Sequence, residues 1–264
     1  MIGAILGDIV GSVYEFDNIK TKEFELFDKE CFFTDDSVMT VAVASALLKF
    51  EKIDENNVEE FKQVLVEEMH RIGINYPDCG YGGRFFRWIM FDRTEPYNSF
   101  GNGSAMRVSP VGWYGKTLEE TELIAKATAE VSHNHPEGVK GAVATAGEVF
   151  LARSGASKKE IRAYTEQFYN VDFALDEIRP VYDYDVTCQG TVPPAMVAFF
   201  EAESFEDAIR NAISIGGDSD TLAAITGGVA EAFYGIEEEY RETALSYLDD
   251  NLLKITEEFC KKYV

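Results

Sequence analysis

Apolar residues in this chain return at the spacing of a helix turn along most of its length, and almost nowhere at the two-residue alternation of a half-buried strand. In DSVMTVAVASALLKF, residues 36–50, Val38, Val41, Ala42, Ala46 and Leu47 or Leu48 fall at i, i+3, i+4 intervals, the stripe of a core-facing helix. Thr34-Asp35-Asp36 just before it is good capping chemistry. Similar patterns over 57–72, 84–91, 118–131, 137–153, 158–168, 192–202, 204–214, 220–234 and 238–262, separated by turns rich in Gly, Pro and Asn, predict further helices. With the segment at 3–13 the expectation is ten or more. Residues 3–13, 141–147 and 223–232 are rich in Gly and Ala, which lets helix backbones approach closely. An all-α, compact bundle follows.

At 264 residues the chain suits one large core. No Pro- or Ser-rich linker, fixed repeat or low-complexity tract divides it, so residues 1–264 are expected to form a single domain. The polar stretches 73–83, 92–110 and 170–191 read as structured loops. Loops of that length in a compact domain usually serve function, so a ligand is expected there.

Lys plus Arg is 24 and Asp plus Glu is 47, a formal charge of −23. A field of that sign repels phosphate backbones and anionic membranes, so a bare nucleic-acid binder is not expected. The surplus is either a solvated surface or carboxylates gathered around cations. Cys31, Cys79, Cys188 and Cys260 are widely spaced without a C-x-x-C pair, and read as free thiols of a reducing cytoplasm rather than a zinc site or disulfide framework. The opening MIGAILGDIVGS has no basic flank and is broken by Asp8, a poor signal peptide, and no apolar run reaches membrane-span length. A cytoplasmic location and a monomer are the expectation.

Two acidic clusters share one plan. Thr34-Asp35-Asp36 and Gly217-Asp218-Ser219-Asp220-Thr221 each stand at the start of an apolar helix. Either alone reads equally well as an acidic cap. Together they offer four carboxylates and two hydroxyls, hard oxygen ligands suited to Mg²⁺, Mn²⁺ or Ca²⁺. Two carboxylates about 4 Å apart repel by roughly 4 kcal/mol at an effective dielectric near 20, so four that converge would protonate or bind divalent ions. Gly216-Gly217 supplies permissive backbone before the second cluster. The run Ser99-Phe100-Gly101-Asn102-Gly103-Ser104 could nest an anion, and equally could be a plain turn. His133 and His135 precede Pro136 at a helix start, where capping competes with a binding role. Phe85, Phe86, Trp88 and Trp113 read as core or pocket wall, and Lys20 and Lys22 as an exposed face.

Taken in order, five motifs spanning nearly the whole chain resemble the ADP-ribosylglycohydrolase family: Gly3-Ala4 to Gly7-Asp8 to Gly11 to Glu15-Phe16; Thr34-Asp35-Asp36-Ser37; Gly101-Asn102-Gly103-Ser104-Ala105-Met106-Arg107; His133 followed by Gly141-Ala142; and Gly217 to Thr221. The resemblance implies an all-α fold with a central cleft holding two Mg²⁺ or Mn²⁺ ions, bound by Thr34, Asp35, Asp36, Asp218, Asp220 and Thr221. It implies Ser99, Phe100, Gly101, Asn102, Gly103 and His133 as contacts to ADP-ribose, and Glu15, with Asp36, as catalytic candidates. Asp8 and Asp78 are further possibilities for the acid or base. The reaction implied is hydrolysis at the anomeric carbon of the ribose distal to adenine, through an oxocarbenium-like transition state, on an ADP-ribosylated protein or related conjugate. The diphosphate would rest on backbone N–H groups and on Ser99 to Ser104, with little help from Lys or Arg. The stretch Tyr81 to Trp88 is only loosely similar to the family, in a region that can contact substrate.

Two other readings compete. Asp218-Ser219-Asp220-Thr221 is similar to the D-x-D motif of the haloacid dehalogenase phosphatases, but lies late in a helical chain with Thr221 adjacent rather than two residues on. A catalytically silent binder of ADP-ribose or metal would share the fold without the reaction.

Overall fold

The computed structural model describes residues 1–91 and 93–264. They form fifteen α-helices: α1 Ile2–Gly11, α2 Asp35–Leu48, α3 Val58–Gly73, α4 Gly83–Met90, α5 Gly103–Met106, α6 Ser109–Tyr114, α7 Leu118–Glu130, α8 Pro136–Arg153, α9 Lys158–Thr165, α10 Leu175–Ile178, α11 Cys188–Glu201, α12 Phe205–Ser214, α13 Ser219–Tyr234, α14 Glu238–Ser246 and α15 Asp250–Tyr263. A 3-10 turn, Ser12–Tyr14, follows α1. Among the described residues there is no strand, only a backbone bridge between Gly101 and Thr187. The chain is a single all-α domain.

The centre is α13, buried from Ser219 to Glu231 and packed on α1, α8, α11 and α12. Helix α1 is buried along its whole length, which few helices can be unless small residues line the contact. A Cβ on Gly3 would stand 2.2 Å from the Gly227 carbonyl oxygen, one on Gly7 2.0 Å from that of Ala223, and one on Gly11 2.4 Å from Asp220 Cα. The two helices therefore touch backbone to backbone, and the pairing order makes them antiparallel. The C-terminal end of α1 meets the N-terminal end of α13. Glu15, just beyond α1, is delivered to Asp218 and Asp220 by that register.

Three boundaries differ from the periodicity. The stretch 92–110 holds α5 and the start of α6, too short and too rich in Gly and Ser for a period to show. Helix α11 starts at Cys188, four residues before the expected 192, because Thr187 caps it by accepting the Gly190 N–H at 3.1 Å. The expected helix over 238–262 is two helices, since Asp249 accepts the N–H groups of Asn251 and Leu252, both at 3.0 Å, and starts α15 anew. The four cysteines are free thiols. Among the described residues no helix is long and apolar enough to cross a membrane.

Candidate active site

Thr34 stands in extended conformation at the N-cap of α2, where its hydroxyl accepts the Asp36 N–H, and Asp35 and Asp36 occupy the first turn. Asp8 fixes this corner from α1. One of its oxygens accepts the N–H groups of Thr34 (2.9 Å) and Ser37 (3.0 Å) together with the Ser37 hydroxyl. The other accepts the Thr34 hydroxyl at 2.6 Å. Across the gap, Asp218 and Asp220 stand at the start of α13 after Gly216 and Gly217, both at positive φ (67° and 79°), where an L side chain would be strained. Asn18 clamps that turn: its side chain accepts the Gly217 N–H at 2.7 Å and donates to the Gly217 carbonyl at 2.9 Å.

The two acidic corners and Glu15 converge. One oxygen from each of Glu15, Asp218 and Asp220 lies within 4.8 Å of the others. The Thr34 hydroxyl is 3.4 Å from Asp220 Oδ2, and the Thr221 hydroxyl is 3.3 Å from Asp36 Oδ2. Glu15, Asp35, Asp36, Asp218, Asp220 and Thr221 share the wall of one cleft of about 320 Å³. Burial drives every carboxylate here upward, and the neighbouring charges add to it. Asp35, Asp36 and Asp220 are held well above the ordinary range, with Asp220 foremost among the charges acting on the other two. Glu15 is pushed up to about 7 by burial and then by Asp220. Burial raises Asp218 to about 6, offset in part by its hydrogen bonds to Asp220 and Asn102.

These residues fit a divalent cation. The donor set is all hard oxygen, and buried Asp36 Oδ1 has no hydrogen-bond partner among protein groups, which a carboxylate oxygen rarely tolerates unless something else approaches it. Asn102 donates to Asp218 Oδ2 at 2.6 Å and to the Thr191 hydroxyl at 3.1 Å, so it aims a carboxylate as well as shaping the glycine-rich loop.

The rest of the cleft lining carries hydrogen-bonding groups beside aromatic ones. Ser99, Gly101, Asn102, Gly103 and His133 belong to it together with Gly80, Gly82, Gly83, Arg84, Phe85, Tyr97, Met106, Arg107, Tyr184 and Val186. His133 is buried and is kept neutral, first by desolvation and then by Arg107 and Arg84. Its Nδ1 bonds the Ser132 hydroxyl at 2.8 Å, and its Nε2 would lie 3.0 Å from a Cβ on Gly103, so this glycine leaves the ring room. Arg107, lowered by burial to about 10 and still charged at neutral pH, donates to the Thr128 carbonyl at 2.8 Å and the Ser132 hydroxyl at 2.9 Å.

The ADP-ribosylglycohydrolase family model matches residues 1–263. The chain belongs to the ADP-ribosylglycohydrolase family. It is 26% identical to ADP-ribosylhydrolase ARH3 of Mus musculus over 90% of the chain and 83% of that protein. It is 25% identical to ADP-ribosylarginine hydrolase Tri1 of Pseudomonas putida, over 89% of the chain and 70% of the relative. A solved structure described as an ADP-ribosylglycohydrolase-related protein complex superimposes with a TM-score of 0.70 at 21% identity, covering 98% of this chain and 96% of that one, which shows the fold.

Within this family member the residues singled out from sequence have different fates. Asp35, Asp36, Asp218, Asp220, Thr221 and Glu15 reach the cleft wall, while Thr34 is buried behind it. Phe100 is absent from that wall: it is 44% exposed and its ring lies edge-on to His135, 5.3 Å between centroids. Asp8 is fully buried, absent from the cleft wall and surrounded by donors from Thr34 and Ser37, the arrangement of a buttress, and Asp78 lies exposed outside the cleft wall. Lys20 and Lys22 are ties rather than a free face. Lys20 donates to the carbonyls of Tyr182 (2.8 Å) and Ile215 (2.5 Å), and Lys22 pairs with Asp207. The expectation of a diphosphate site with little arginine meets two guanidinium groups, Arg84 and Arg107, on the cleft wall. Tyr184 escaped notice in its polar stretch, yet its hydroxyl donates to Glu15 Oε1 at 2.9 Å and its ring stacks on Phe16, 6.2 Å between centroids. No periodicity marks a loop residue of this kind.

Proposed function

We propose that the chain is a divalent-metal-dependent hydrolase that releases ADP-ribose from an acceptor, acting at the anomeric carbon of the distal ribose. The observation that carries this reading is the meeting of Glu15, Asp35, Asp36, Asp218 and Asp220 in one cleft, which Ser99, Gly101, Asn102 and Gly103 also line. Asp35, Asp36, Asp218 and Asp220, with Thr34 and Thr221, would hold two Mg²⁺ or Mn²⁺ ions. Bound there, such ions supply Lewis-acid polarisation of ribose hydroxyls and of a water molecule.

The chain's own groups do the rest. Tyr184 holds Glu15 by one carboxylate oxygen and leaves the other to accept a proton from the attacking water. The N-terminal turn of α4, which lacks a side-chain cap, and the backbone from Ser99 to Gly103 offer N–H groups to the diphosphate, with Arg84 beside them. Neutral His133 serves as a hydrogen-bonding wall. Asn102 keeps Asp218 in place as charge develops on the sugar. The hard-ligand set remains whole in this chain, which favours an active enzyme over a silent binder.

The test is ADP-ribose release from arginine-linked and serine-linked substrates with Mg²⁺, with Mn²⁺ and with EDTA. Metal-dependent release on one linkage is expected, lost in Asp35→Ala and Asp218→Ala, with Glu15→Gln lowering kcat more than metal affinity. Absence of release from every linkage by a protein that still binds ADP-ribose would leave the silent binder as the better reading.

A further inference from the structure

The cleft continues outward past Arg84 and Tyr97 into a second cavity of about 580 Å³, lined by Arg84, Arg87, Trp88, Arg93, Thr94, Glu95, Pro96 and Tyr97. Its charge is opposite to that of the molecule. A chain with 24 basic and 47 acidic residues has acids to spare, and some of its cations use them: Arg71 pairs with Glu68, Arg179 with Asp176, Arg210 with Glu206 and Lys22 with Asp207, whereas Arg107, Arg153 and Arg162, all at least half-buried, donate to backbone carbonyls. Arg84, Arg87 and Arg93 have no carboxylate partner among the described residues. Arg84 donates instead to the Tyr97 carbonyl, with its guanidinium 4.8 Å from the centre of that ring, and Arg87 Nε donates to the Gly83 carbonyl at 3.0 Å. The Arg93 backbone is fixed by its N–H to the Trp88 carbonyl at 3.1 Å and by His70 Nε2, 3.1 Å from its own carbonyl. Among the described residues Glu95 is the one acid on the wall, against three arginines.

We propose that Arg84, Arg87 and Arg93 form a second anion subsite, contiguous with the catalytic cleft, that takes a phosphate group. Three like charges gathered on one wall repel each other, and a phosphate accepting paired N–H donors from two guanidinium groups relieves that repulsion. The site also answers the electrostatic problem of an acidic protein that works on an anion: a local positive mouth next to the cleft raises the capture rate against the repelling whole. The Tyr97 ring backs the Arg84 guanidinium and helps keep it in place. The phosphate comes either from the ligand seated in the cleft or from a free phosphate species. The subsite itself stands on the arginines alone, and its position relative to substrate rests on the cleft reading given above.

Calorimetric titration of the full chain separates these. The probes are inorganic pyrophosphate, ADP-ribose and 2′-phospho-ADP-ribose, against wild type, Arg87→Gln/Arg93→Gln and Arg87→Lys/Arg93→Lys. Arg84 is left unchanged because it also lines the cleft. Pyrophosphate is expected to bind wild type even when ADP-ribose saturates the cleft, to bind the Gln pair at least tenfold more weakly, and to recover in part in the Lys pair. ADP-ribose affinity should change less than twofold. Tighter binding of 2′-phospho-ADP-ribose than of ADP-ribose, lost in the Gln pair, assigns the phosphate to the cleft ligand; no such gain assigns it to a free anion. Equal pyrophosphate affinity in wild type and the Gln pair, or complete displacement of pyrophosphate by ADP-ribose, overturns the subsite. A failure of ADP-ribose to bind at all strikes the cleft reading instead and leaves the pyrophosphate comparison intact.

Discussion

Asp8 shows how a residue without catalytic contact can decide a site. Four hydrogen bonds end on its carboxylate, all from Thr34 and Ser37, and these bracket Asp35 and Asp36. The direction in which those two carboxylates point is therefore set from α1, a helix that contributes no acid to the cleft wall. Truncation leaves buried donors without acceptors, each costing about 1–3 kcal/mol, and frees the turn. Asp8→Ala is expected to lose roughly 2–4 kcal/mol of stability, by denaturant unfolding. It should also weaken Mn²⁺ binding at least tenfold although Asp35, Asp36, Asp218 and Asp220 all remain. Unchanged Mn²⁺ affinity would show that the cluster is aligned without this buttress. The role was hidden in the sequence because Asp8 sits inside an apolar helix, where its type says only that it must be paired.

At the scale of elements, the glycine ladder of α1 is the feature on which the site's assembly depends. Gly7→Ala adds one carbon where the Ala223 carbonyl oxygen stands 2.0 Å away, and a backbone atom cannot rotate aside. The helices must part, so a loss of several °C in Tm together with weakened Mn²⁺ binding is expected. The same substitution at Gly82, where no atom lies within 4 Å of a Cβ, should leave both unchanged. A different prediction belongs to the packing of α8 on α9. Glu148 is fully buried there, with one oxygen accepting the Thr165 hydroxyl at 2.8 Å and the other unpartnered, and burial pushes it up to about 8. The folded state thus holds a proton that the unfolded chain releases near its usual pKa of about 4.3, so this group costs stability as pH rises from there towards 8. Glu148→Gln should gain Tm relative to wild type between pH 5 and 8, and a constant difference would show the carboxyl to be ionised in the fold. Long helices such as α2, α3, α8 and α13 were legible because their apolar period runs for three turns or more. The acidic corners were legible because a cap residue precedes two acids. What stayed hidden were α5 and α6, too short to show a period, the split between α14 and α15, set by the Asp249 cap, and the cleft residues Arg84 in α4 and Tyr184 in a loop, whose places depend on contacts between segments distant in the chain.

For the whole molecule the question is where so much negative charge resides. Some of it is in the cleft, where burial holds Asp35, Asp36 and Asp220 well above their ordinary range, so folding without cations works against the ionised form of these carboxyl groups. A divalent ion bound only by the folded chain adds stability by mass action, about 2.7 kcal/mol at a hundred times its Kd, and 1 kcal/mol corresponds to roughly 2–4 °C in a domain of this size. Mg²⁺ or Mn²⁺ at that excess should raise Tm by about 5–10 °C over the EDTA-treated protein in calorimetry. With 47 acidic residues, weak surface sites could mimic such a rise, and the discriminating comparison is Asp218→Ala. Surface binding would raise the Tm of that variant as much as that of wild type and would move the ions out of the cleft. Binding at the junction of α1, α2 and α13 should leave the variant with little or no increment, because a single lost ligand there breaks a cluster in which segments from both ends of the chain bring carboxylate oxygens together.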